Sequence, residues 1–126
     1  MIINICKNMT VVALISFLIC GMADAQEETG NHWVTFIELG SKKCMPCKMM
    51  QPVMDSIEKD YAGKVKVVFH DVWTKEGKPY GEKYGIQAIP TQIFLDKDGQ
   101  EFSRHTGFLA ENKIVDLLEK HGVTKE

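Results

Sequence analysis

The chain of 126 residues has little charge of one sign: its formal net charge is -2. That balance gives no reason to expect nucleic acid or an acidic substrate as a partner, since such partners select strongly basic surfaces. Internal repeats and low-complexity tracts are absent, which excludes solenoid and fibrous architectures. Composition is ordinary for a globular protein, 44% hydrophobic and 25% charged, and the length suits one domain. Cysteine is scarce as well. There are four, and Cys6 and Cys20 lie within the first 25 residues. No second Cys pair and no His pair at metal-ligand spacing accompanies the others, so a structural zinc site lacks its four ligands. The histidines, His32, His70, His105 and His121, are scattered.

Long hydrophobic runs are also missing. The apolar stretch Val11 to Ala23 falls short of the roughly 20 residues that a spanning helix needs. It follows Lys7 and precedes Ala23-Asp24-Ala25, whose small residues suit a signal peptidase. Residues 1–25 therefore read as a signal peptide cleaved near Ala25/Gln26, leaving 26–126 as the exported domain, periplasmic or secreted. Ile19 ahead of Cys20 argues against lipid attachment. After cleavage Cys44 and Cys47 are the only cysteines left. A disulfide between them would close a loop too short to restrict the unfolded chain much. Chemistry is a better reason than stability for keeping such a pair in an oxidising compartment.

What is there reads as β-α-β-α-β-β-α. Trp33 to Leu39, "WVTFIEL", is nearly continuous in apolar and β-branched residues and predicts a buried strand. Gly40 and Ser41 break it. From Pro46 to Tyr61 apolar residues recur at Met49, Met50, Val53, Met54 and Ile57, a helical stripe, with Pro46 in the tolerant first turn. Val65 to Phe69 is a second strand. A polar loop and a short helix ending near Tyr84 follow, then a third strand from Thr91 to Leu95. Asp96-Lys97-Asp98-Gly99 is hairpin-turn chemistry and returns the chain as a fourth strand, Gln100 to His105. Ala110 to His121 is an amphipathic helix. This order predicts an α/β fold: a central mixed sheet, built from a βαβ unit and a β-hairpin, with helices on both faces.

The chemistry concentrates in "KKCMPCKMM", Lys42 to Met50. A Cu(I) site is one reading, because soft sulfur ligands select that ion and Met45, Met49, Met50 and Met54 surround the thiols. Against it, Met49, Met50 and Met54 follow the spacing of a helix core, which predicts packing for all three and exposure for Met45 alone. A binding module that keeps an idle pair is a further reading. Trp73 and Tyr80, in the loop after the second strand, read as surface or packing residues.

Several motifs together resemble the thioredoxin family, over nearly all of residues 26–126. Cys44-Met45-Pro46-Cys47-Lys48 fits its active-site pattern, and Pro52 its helix proline. Tyr84-Gly85-Ile86-Gln87-Ala88-Ile89-Pro90-Thr91 matches the segment that carries its cis-proline. Gly107 matches the glycine lining the substrate groove, and Glu38 falls where the family has a buried acid. Three departures stand out. Lys43 replaces the usual tryptophan before the first cysteine, Glu replaces the usual Asp, and Phe69 lies about where a lysine often neighbours that acid.

The resemblance implies a thioredoxin fold and thiol-disulfide exchange, with no cofactor beyond the redox-active Cys44–Cys47 disulfide. Cys44, at a helix start among lysines that favour its thiolate, would attack a substrate disulfide, and Cys47 would resolve the mixed disulfide. Glu38 would accept the proton of Cys47, although an acid on an exposed strand face is the blander alternative. Met45, Pro46, Ile89, Pro90 and Gly107 would contact substrate. Pro46 resembles the proline of reducing thioredoxins, whereas DsbA-type oxidants have histidine there. The expected function is reduction of protein disulfides outside the cytoplasm by a monomer supplied by a membrane-embedded electron donor of the DsbD type. An oxidase or isomerase role is the alternative.

Overall fold

The computed structural model describes residues 32–125. The expected signal peptide, residues 1–25, and its expected cleavage site lie outside the described residues. Seven elements follow in the expected order: β1 (Val34–Gly40), α1 (Met45–Asp60), β2 (Val65–Asp71), α2 (Lys78–Lys83), β3 (Thr91–Asp96), β4 (Glu101–Thr106) and α3 (Glu111–Lys120). The strands form one sheet in the order β2-β1-β3-β4. β1 runs parallel to β2 and antiparallel to β3, and β3 pairs antiparallel with β4. The sheet is therefore mixed, as the sequence predicts.

Strand parity sorts the core. On β1, Val34, Phe36 and Glu38 point to one face, Ile37 and Leu39 to the other. The first face packs against α1 and α3. Phe36 stacks on Phe94 with ring centroids 4.9 Å apart. Met50, Val53, Met54 and Ile57 of α1 join Ile114 and Leu118 of α3 in the same buried cluster. Fully burying each such side chain contributes roughly 2 kcal/mol. On the opposite face Ile37, Leu39 and Ile93 pack with Val72, Tyr84 and Ile86, residues that flank α2.

Two expectations need correction. Met49 is 54% exposed, not part of the core. It lies one residue short of the buried row of Met50, Val53, Met54 and Ile57, and its neighbour Met50 takes the inward position. Trp33 is 59% exposed and precedes β1 rather than opening it. Its N–H still bonds the Lys64 carbonyl at 2.8 Å, so the backbone is placed while the ring faces solvent. No helix among the described residues is long and apolar enough to cross a membrane.

Candidate active site

Everything at the site hangs from one end of β1. The strand ends at Gly40. Asp71, the last residue of β2 and register partner of Gly40, then holds the turn that follows. Its carboxylate accepts from the Lys42 N–H at 3.0 Å and from the Trp73 N–H at 3.1 Å. These two N–H groups hold the Asp71 carboxyl below the usual range, the Lys42 bond being the larger cause. Buried Ser41 tightens the turn: its Oγ accepts from Lys43 N–H, and its carbonyl from Cys44 N–H at 3.1 Å. The chain thus reaches Cys44 in extended conformation, as the N-cap residue of α1.

Cys44 and Cys47 form a disulfide, with Cα atoms 5.2 Å apart. Cys44 is half-buried, whereas Cys47 is 4% exposed. The two sulfurs are therefore unequal: a partner can reach the first from solvent, while the second faces the sheet. Met45, 67% exposed, and Pro46 sit on the rim between them. The unpaired N–H groups of the first turn favour negative charge at the Cys44 end.

Beneath Cys47 lies a close approach. A Cβ on Gly40 would meet the Cys47 Cβ at 3.1 Å and its Sγ at 3.2 Å, and the Glu38 Oε1 at 3.5 Å. Glycine thus leaves open a space that the inner sulfur and the acid share. Glu38 is fully buried. Its Oε2 accepts from the Gln92 Nε2–H at 3.0 Å, while Oε1 has no protein partner. Burial pushes the Glu38 carboxyl up to about 8, and the Gln92 hydrogen bond pulls the other way. The acid is flanked in the sheet by Phe69 on β2 and Gln92 on β3.

The remaining expected residues gather at the same end of the sheet. Thr91 is the register partner of Leu39, so Pro90 just before it lies level with the end of β1. The Ile89–Pro90 peptide bond is cis. Thr91 Oγ1 donates to the Ala88 carbonyl at 2.7 Å and lies 3.3 Å from Thr106 Oγ1, bracing this loop against β4. Gly107 sits at φ 97°, where a side chain would be strained, and its N–H donates to the Pro90 carbonyl at 2.8 Å. Half-exposed Phe108 follows.

Three contributors escape a reading of motifs: Gly40, Asp71 and Gln92. Gln92 carries a signal, a polar residue inside the apolar run "TQIFL". Gly40 reads in sequence as a strand breaker only.

The thioredoxin family model matches residues 24–120. The chain belongs to the thioredoxin family. Thioredoxins of Staphylococcus aureus strains Mu50 and MW2 are each similar to it, 34% identical over 98 residues, covering 78% of this chain and 88% of theirs. A solved structure titled "Structure of a malarial protein" shares the fold, with a TM-score of 0.64, 23% identity, and coverage of 71% of this chain and 98% of that one. As a family member this is a thioredoxin-like thiol-disulfide oxidoreductase with Cys44–Cys47 as its redox pair. Among the described residues no group of three or more His, Cys, Asp or Glu could hold a metal ion.

Proposed function

We propose that this protein reduces protein disulfides outside the cytoplasm. The unequal burial of the two sulfurs carries the reading: an accessible Cys44 at a helix N-terminus above a buried Cys47 beside Glu38. With the pair reduced, the Cys44 thiolate attacks a substrate S–S bond. A mixed disulfide forms and one substrate thiolate leaves. Cys47 gives its proton to Glu38 and attacks the Cys44 sulfur. The Cys44–Cys47 disulfide forms and the second substrate thiolate leaves. Two electrons pass from the dithiol to the substrate. Glu38 suits the acceptor role because its proton affinity lies near that of a thiol.

Met45, Pro46, Ile89, Pro90 and Gly107 frame the docking surface, where an extended substrate segment lies along the backbone at Ile89. Pro46 before the second cysteine, rather than histidine, favours the reducing direction. The apolar leader supports export of the domain, residues 26–126, to the periplasm or another exported compartment, where a membrane-embedded donor of the DsbD type returns it to the dithiol. A reduction potential near the roughly -270 mV of thioredoxin, with catalysed insulin reduction, supports this; a potential near about -120 mV reverses the direction. The exposure of both Met45 and Met49 favours a second reading, Cu(I) carriage by the reduced pair. A copper titration without a sub-micromolar site removes it.

A further inference from the structure

Gln92 is an anomaly in its strand. It is fully buried, it sits between Thr91 and Ile93, and it faces the α1 and α3 side of the sheet with Phe94. An apolar residue there would avoid the cost of a poorly satisfied buried amide. Its Oε1 indeed has no partner. Only its Nε2–H is used, and that bond goes to Glu38 Oε2 at 3.0 Å.

The arrangement splits the carboxylate. One oxygen is tied to the amide, and the other, unpartnered, borders the space above Gly40 where the Cys47 sulfur also lies. We propose that Gln92 is the positioning residue of the exchange reaction: its amide holds Glu38 so that the free carboxylate oxygen faces Cys47 and can take its proton. This rests on the role given above to Glu38 and adds what orients that acid.

β2 places Phe69 beside Glu38, and α1 presents Cys47 at the gap. On β4, His105 is the register partner of Gln92, one strand further away, and its ring lies 3.2 Å from the Phe108 carbonyl. Among the described residues no cation is paired with Glu38, and the amide alone favours its ionised form against burial. A carboxyl with no such donor would stay protonated to higher pH and could not relieve Cys47 of its proton near neutrality.

The test is the pH profile of mixed-disulfide resolution in the full exported domain, followed by stopped flow with a small aromatic disulfide. Glu38→Gln should abolish the inflection due to the acid. Gln92→Leu should move that inflection up by about one pH unit, slowing resolution roughly tenfold at pH 7 with little change at the alkaline limit. In the Glu38→Gln background Gln92→Leu should change nothing. A Gln92→Leu profile that coincides with the parent's, or a shift that persists without Glu38, overturns the proposal. If Glu38→Gln itself leaves the profile unchanged, the acid's role falls and the proposal with it. Should Gln92→Leu not fold, Gln92→Met preserves length and removes the donor. In the unmodified protein the side-chain amide resonances of Gln92 should also titrate with the midpoint of Glu38, and a pH-independent amide signal contradicts the claim. The small disulfide makes these outcomes independent of which way electrons flow in the cell.

Discussion

Replacing Glu38 with glutamine should make the protein more stable, and increasingly so as pH rises. Burial raises the carboxyl from 4.5 to about 8. Between those values the folded chain keeps a proton that the unfolded chain has lost. The folded state therefore binds more protons, and stability must fall with increasing pH. Each pH unit in that window is worth about 1.36 kcal/mol. From about pH 5 to pH 8.5 the loss amounts to about 4 kcal/mol, a large share of the roughly 5–15 kcal/mol that holds a domain folded. The glutamine of the variant is a neutral near-isostere, still able to pair with the Gln92 amide, and escapes this loss. The assay is urea unfolding of the oxidised protein at pH 5, 7 and 8.5, because the linked cysteines do not titrate there. The stability gap between variant and parent should widen by about 4 kcal/mol across the range. Other titrating groups cancel in the comparison. A gap that stays constant would mean that Glu38 ionises like a solvated acid, and the proton-acceptor reasoning would collapse.

Gly40→Ala should lower stability by about 1–3 kcal/mol and slow resolution of mixed disulfides, because its Cβ would press on the Cys47 side chain at 3.1 and 3.2 Å; urea unfolding and stopped flow read the two effects. Asp71→Ala should speed hydrogen exchange at the Lys42 and Trp73 amides, which lose their acceptor, and slow attack by Cys44. Met50→Ala should cost about 2–5 kcal/mol while Met49→Ala stays within about 0.5, since one side chain is fully buried and the other exposed. Equal effects of the two methionine variants on urea midpoints would contradict the assignment of the α1 core face.

The order of elements was legible because each carries its own signal. The apolar run of β1, the helical stripe of α1 and the Asp-Gly turn between β3 and β4 are local features, and local features survive without knowledge of tertiary pairing. The cysteine pair was legible for the same reason. What escaped depends on contacts across the chain. Met49 and Met50 are adjacent and equally apolar, and only the placement of α1 against the sheet decides which of them turns inward. Trp33 continues the apolar run in sequence, yet β1 begins after it. Gln92 becomes meaningful only once β3 lies antiparallel to β1 in a register that sets it opposite Glu38, 54 residues away. Gly40 reads as punctuation until α1 is folded back and Cys47 arrives above it. Asp71 likewise acts on a turn 29 residues distant.

The most direct test of the central claim is mass spectrometry of single-cysteine variants after reaction with a disulfide substrate. With Cys47→Ser the reaction should stop at the mixed disulfide, giving a stable adduct on Cys44. With Cys44→Ser, buried Cys47 should give almost none. Equal adducts on both variants, or none on either, would contradict exchange initiated by an accessible Cys44 and completed by the sulfur beneath it.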